Sequence, residues 1–137
     1  MIYQLSVFLE NRAGQLAQIT GILAENHIDL RAINIADTAD YGVLRMIASD
    51  NEKAAELLRG SGFILSLTPV VAVAVPDEPG ALNCILQITA NENIDIEYMY
   101  SVFGKEQGKA VMLFRVNEPD RLSAALQTAG FAPETEL

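Results

Sequence analysis

The chain has one cysteine, one histidine and no tryptophan in 137 residues, and only 9 basic residues stand against 18 acidic ones. Each scarcity excludes something. A lone Cys84 rules out an internal disulfide and any multi-cysteine metal site within one chain. A lone His27, with no cysteine or catalytic partner marked near it, leaves no nucleophile–base pair to build on. It falls at an expected helix C-terminus, where a structural role suffices. A formal net charge of −9 opposes phosphate-backbone binding, so nucleic acid is not an expected partner. No apolar run reaches membrane-spanning length. The opening Met1-Ile2-Tyr3-Gln4 is strand-like and lacks a basic leader, so the expectation is a soluble, cytoplasmic protein without a membrane partner.

What is present is a repeat. Glu10-Asn11-Arg12-Ala13-Gly14-Gln15-Leu16 returns 66 residues later as Pro76-Asp77-Glu78-Pro79-Gly80-Ala81-Leu82. Ile19 answers to Ile85, Ile22 to Ile88, Ile28-Asp29-Leu30 to Ile94-Asp95-Ile96, and Ile33 to Met99. Gly62-Phe63 answers, after a slip, to Gly130-Phe131. Self-similarity at a fixed period marks two copies of one unit, and the expected domains are 1–68 and 69–137. Units this small bury little surface alone. Half of the residues are hydrophobic, enough for packed cores.

Each copy carries the same order of patterns. Tyr3, Leu5, Val7 and Leu9 alternate with Gln4, Ser6 and Phe8, the period of a half-buried strand. Leu16, Ile19, Thr20 and Leu23 follow at helical spacing and stop near Asn26-His27. Leu30–Ile35 and Val43–Ile47 read as strands joined by a turn over Thr38–Gly42. Asp50 and Asn51 are cap candidates for a second helix with Ala54, Leu57 and Leu58 inward, and Phe63–Leu67 is the fourth strand. In the second copy the strands are Val70–Val75, Asp95–Phe103 and Ala110–Val116. Helices run from Gly80 to about Asn91 and from Glu118-Pro119 onward, and a short strand begins near Phe131. The fold class is α+β: two ferredoxin-like βαββαβ units. Thr68-Pro69 is the only punctuation between them, which favours a fixed mutual orientation.

The sequence offers no catalytic constellation. No strand-turn-helix serine elbow is present, and the glycine loops lack the P-loop lysine and the dinucleotide fingerprint. No metal or cofactor is expected. The repeated strand-turn-helix junction is the stronger candidate. A polar residue (Asn11, Asp77) leaves the strand and a glycine (Gly14, Gly80) stands at the helix entrance. Glycine allows close approach of a ligand, and unpartnered first-turn amides can take a carboxylate. The bland alternative is a turn and cap that hold nothing.

Glu10–Leu16 followed by Ile19 and Glu25–Leu30 resembles the ACT domain, a small-molecule regulatory module of amino-acid metabolism. Asp77–Leu82 followed by Asn93–Ile96 resembles it again, with the family's proline before glycine. The resemblance covers essentially the whole chain. It implies domains paired side by side into an eight-stranded sheet with helices on one face. It also implies an amino acid held where the first loop of one domain meets the second strand of its partner. Asn11 and Asp77 take the loop position and Asp29 and Asp95 the strand position. Some members carry a histidine two residues before the loop polar residue; Leu9 and Val75 stand there in this chain.

Two mixed sites follow from internal pairing. One joins Asn11, Arg12, Ala13, Gly14, Gln15 and Leu16 to Asp95, Ile96, Glu97 and Tyr98. The other joins Asp77, Glu78, Pro79, Gly80, Ala81 and Leu82 to Asp29, Leu30 and Arg31. The second gathers carboxylates that repel a ligand's carboxylate unless its ammonium faces them, so the Asn11 site is expected to bind more strongly. The leading expectation is a non-catalytic, allosteric amino-acid sensor read by a protein partner or by self-association. Its rivals are an assembly module that binds nothing, such as a homodimer formed through exposed strand edges, and a regulatory subunit of an amino-acid-metabolism enzyme.

Overall fold

A computed structural model describes residues 1–10, 12–37, 41–103 and 106–137. Its elements are β1 (Ile2–Glu10), α1 (Gln15–Glu25), β2 (Leu30–Asp37), β3 (Tyr41–Ala48), α2 (Asn51–Gly60) and β4 (Leu65–Pro76). They continue as α3 (Ala81–Asn91), β5 (Ile96–Phe103), β6 (Lys109–Val116) and α4 (Pro119–Thr128). The expected turn residues Thr38–Asp40 lie outside the described residues. The chain divides into two compact units, Tyr3–Thr68 with Leu137, and Pro69–Glu136 with Met1–Ile2. Among the described residues no helix is long and apolar enough to cross a membrane.

In the first-copy unit, β3 lies between β1 and β2. Leu5 pairs with Met46 and Glu10 with Tyr41, while Ile33 pairs with Met46 and Ile35 with Leu44. All pairings are antiparallel. The segment leading into β4 takes the other side of β1, through Phe8 N–H to Ile64 O (2.9 Å) and the hydroxyls of Ser6 and Thr68 (3.0 Å). Strand alternation directs Leu5, Val7 and Leu9 of β1, with Leu44 and Met46 of β3, to one side, where they meet Ile19 and Leu23 of α1 and Ala54, Ala55 and Leu58 of α2. The α2 stripe forms as its spacing predicts, and Asp50 caps the helix by accepting from Lys53 N–H at 3.0 Å. Asn51 does not cap. Its amide oxygen accepts from Ala48 N–H at 2.9 Å and its nitrogen donates to Tyr3 O at 2.7 Å.

The second-copy unit repeats the plan with β6 between β4 and β5. Its core joins Val71, Val73 and Val75 to Phe114, Ile85, Leu122 and Leu126. The irregularity in each ladder also repeats. Register slips between Leu30 and Ala32 on β2 and between Ile96 and Tyr98 on β5, so Arg31 and Glu97 occupy the extra position of a bulge.

The eight expected strands are six among the described residues. The chain stays extended through Thr68-Pro69. Proline's fixed φ suits extended chain, and the residue before it is driven to the β region, so β4 runs through both for 12 residues. The expected strand near Phe131 shrinks to one bridge, Val73 to Pro133, because Pro133 has no N–H to extend a ladder. Tyr3 and Leu16, read as inward, are 50% and 37% exposed, and Gln4, read as outward, is fully buried.

Candidate functional site

Each candidate loop is a strand end turning directly into a helix. Arg12 N–H donates to Glu10 O at 2.8 Å, and Gln15 N–H to Arg12 O at 3.4 Å. The second copy repeats both bonds, Glu78 N–H to Pro76 O at 2.9 Å and Ala81 N–H to Glu78 O at 3.3 Å. The turn closes on a glycine in the left-handed region, Gly14 at φ 85° and Gly80 at φ 89°. A β-carbon there is strained by backbone conformation, although neither glycine has another group within 4 Å of the position it would take. No side chain caps α1 or α3. The first-turn amides of Leu16 and Ala17, and of Leu82 and Asn83, therefore have no intrahelical acceptor. They carry the positive end of the helix dipole.

The loops differ in charge. Arg12 Nε and Glu10 Oε2 form an ion pair at 2.8 Å on the surface of the first. The second presents Asp77 and Glu78, both exposed. Ala13, Pro79 and Gly80 are exposed, while Ala81 and Leu82 are half-buried. Asn11 lies outside the described residues.

The strand candidates are held by backbone rather than by side chain. Asp29 N–H donates to Ser49 Oγ at 3.0 Å and Asp29 O accepts from Ser49 N–H at 2.8 Å. Asp95 N–H donates to Asn117 Oδ1 at 3.1 Å and Asp95 O accepts from Asn117 N–H at 3.3 Å. Both carboxylates face solvent, and Arg31 pairs with that of Asp29. Glu97, at the matching bulge, pairs instead with Arg115 at 3.1 Å. Leu30 and Ile96 are half-buried beside the aspartates.

Within a unit, loop and strand start are not brought together. The ladder pairs Glu10 with Tyr41 at one end and Leu30 with Ala48 at the other. The second copy does the same, with Pro76 opposite Lys109 and Ile96 opposite Val116. The structure thus joins Arg12, Gly14, Gln15 and Leu16 in one place and Asp29 and Leu30 at the far end of the same sheet.

Beside the first loop lies a cavity of about 400 Å³ that the sequence did not announce. Its walls include Gln15 and Gln18 of α1, Phe63 after α2, and Phe8, Glu10 and Arg12 around the end of β1. The side-chain oxygen of Gln15 is buried and has no partner among the described residues. Among the described residues no group of His, Cys, Asp and Glu is placed to hold a metal ion.

The sequence model of the ACT domain pair matches residues 1–130. No curated protein matches the chain. Among solved structures, protein BT0572 from Bacteroides thetaiotaomicron is 38% identical, with a TM-score of 0.91 over 97% of this chain and 91% of that one. The ligand-free regulatory subunit of aspartate kinase from Thermus thermophilus is 16% identical, with a TM-score of 0.68 over 93% and 91%. Its counterpart from Thermus flavus is 17% identical, with a TM-score of 0.63 over 93% and 92%. At such identity the two kinase subunits show a shared fold and no more.

Proposed function

The chain belongs to the ACT domain pair family, and on that premise we propose that it is a regulatory, non-catalytic protein that senses an amino acid. Residues 1–68 and 69–137 are its two domains. Each ligand sits where the first loop of one copy meets the second-strand start of the other. The observation that carries this reading is the doubled junction: two left-handed glycines, at φ 85° and 89°, each opening an uncapped helix. A fold needing only a turn there could use a capping side chain, and neither copy does. The separation of loop and strand start inside each unit supports a site completed by another domain.

The repeated charges support crosswise completion. Arg12 answers to Glu78 in the loops, and Arg31 to Glu97 in the bulges. A crosswise site would combine Arg12 with Glu97 and Glu78 with Arg31, opposite signs both times. Uniting each loop with its own strand would set like against like. The Asn11 site is the stronger binder, because Asp77, Glu78 and Asp29 crowd the other with carboxylates.

Ligand binding across domains shifts an orientation equilibrium, and a partner protein reads the shift. The fold shared with aspartate kinase regulatory subunits favours an enzyme of amino-acid metabolism as that partner. A thermal-shift screen against the twenty amino acids tests the proposal, since a ligand of the native state raises the melting temperature. A hit whose binding is weakened by Asp95→Ala supports it. A flat response to all twenty leaves only the assembly role.

A further inference from the structure

We propose that the first-copy unit carries a self-association surface on the helix-free face of its sheet, and that its occupant is a second copy of this chain. Val7 and Leu9 of β1 and Leu44 and Met46 of β3 pack against α1 and α2. Strand alternation therefore points Phe8, Glu10, Tyr41 and Val43 to the opposite face, where Phe8 stands opposite Val43 and Glu10 opposite Tyr41. On the other side of β1, Phe8 N–H donates to Ile64 O at 2.9 Å. Phe63 and Leu65 pack on the core, which turns Ile64 between them to the face that Phe8 occupies. Ile64, Tyr41 and Phe8, at 72%, 56% and 54% exposure, are the three most exposed large apolar side chains among the described residues.

The fold does not require these three side chains. At the places of Phe8, Tyr41 and Ile64 the second copy carries Ala74, Lys109 and Ala132. Lys109 stands opposite Pro76 as Tyr41 stands opposite Glu10, and Ala132 follows Gly130-Phe131 as Ile64 follows Gly62-Phe63. The second unit still closes its core. In the first unit the three leave roughly 300 Å² of contiguous apolar surface in water, an extent that marks an interaction site.

Charge and number identify the occupant. Beside the patch stand Glu10 and Arg12, paired at 2.8 Å. A two-fold contact needs a surface complementary to itself. An apolar centre flanked by one acid and one base is such a surface, because Glu10 of one copy can meet Arg12 of the other. The chain's charge of −9 would draw a basic partner, but a basic partner seats on an acidic surface, and this rim is neutral. One patch per chain closes the assembly at a dimer, whereas a patch on both units would let it grow. Two patches with their rims reach only the low end of interface size, under about 1,200 Å², so the dimer dissociates on dilution. The contact uses neither β2, the outermost strand, nor the first-turn amides of α1.

Sedimentation velocity of the full chain, from roughly 1 µM to 1 mM protein and at low and high salt, tests the proposal without any ligand. The expected result is a reversible monomer–dimer equilibrium that strengthens with salt, because screening removes the repulsion between two copies of charge −9. Phe8→Ala and Ile64→Ala, the residues the second copy already uses, should each weaken the dimer by about tenfold or more, since each loss counts twice. Both side chains are exposed, so the fold stands in each variant. At low salt Arg12→Glu should weaken the dimer, and adding Glu10→Arg should restore it, because both halves of a self-complementary rim are then exchanged together. A chain that stays monomeric throughout would overturn the proposal. So would a dimer that survives Phe8→Ala and Ile64→Ala but is lost on Ile35→Lys at the β2 edge. Failure of the double exchange to restore association would overturn the choice of a second copy as occupant.

Discussion

Replacing Gly14 and Gly21 by alanine, one at a time, should move stability in opposite directions. The residues stand seven positions apart, one at the N-cap of α1 and one inside it. Neither has any group within 4 Å of the β-carbon that alanine would add, so packing is the same in both cases and backbone conformation decides. Gly14 sits at φ 85°. An L-residue in the left-handed region costs about 1–2 kcal/mol, and the lower entropy of the unfolded alanine chain returns about 0.4–1 kcal/mol. The net expectation for Gly14→Ala is a loss of about 1 kcal/mol. Gly21 has ordinary helical backbone, and the second copy already carries Gln87 at its position. Gly21→Ala should therefore gain about 0.5–1 kcal/mol, the usual helix-interior difference.

Urea denaturation of the two variants and the wild type measures both signs at once, with unchanged m-values as the check that the unfolding reaction is the same. The corresponding melting-temperature shifts are about 3–5 °C for a chain of this size. Gly80→Ala, at φ 89°, should repeat the Gly14 loss. A Gly14→Ala protein as stable as the wild type would refute the left-handed helix entrance, and with it the observation on which the proposed function stands. Destabilisation by Gly21→Ala would refute the open helix surface.

Asp50→Ala removes a cap bond of 3.0 Å to Lys53 N–H and should cost about 1 kcal/mol by urea midpoint. Glu118→Ala, at the matching junction where no side chain caps, should stay within about 0.5 kcal/mol, since its half-exposed pair with Arg121 is screened. Phe114 is fully buried among the core residues of the second-copy unit. Phe114→Ala should cost about 3–5 kcal/mol, and a loss under about 1 kcal/mol would contradict its packing. Arg31→Ala breaks a largely exposed pair with Asp29. It should change stability by no more than about 1 kcal/mol, an effect that high salt removes.

The parts of the fold legible in the sequence are those decided locally. The apolar stripe on α2, the Asp50 cap and the alternation of Leu5, Val7 and Leu9 all follow from period and side-chain chemistry, and each is found. What escaped depends on the partner of a segment rather than on the segment. Tyr3 keeps the alternation yet is half-exposed, and Gln4 breaks polarity yet is fully buried, because burial at a strand start is set by whatever covers it. Thr68-Pro69, where the two units divide, carries no turn, because both residues have the dihedral preferences of the strand that runs through them.

The cavity was illegible for a different reason. Phe8, Gln18 and Phe63 lie far apart in sequence, and each taken alone has an ordinary role as strand, helix-surface or core residue. Only comparison of the two copies exposes them. A fold that must close twice fixes the residues it needs at both positions: glycine at 14 and 80, isoleucine at 19 and 85, glycine at 62 and 130. Where the copies disagree, the fold has been satisfied by either residue, and the difference is free to serve a ligand. That division puts Gly14 and Gly80 with the architecture on which any loop site depends. Under the proposed function it puts Gln15 against Ala81 and Arg12 against Glu78 with selectivity. A variant that exchanges the second class between copies should therefore move binding from one unit toward the other while leaving the urea midpoint nearly unchanged.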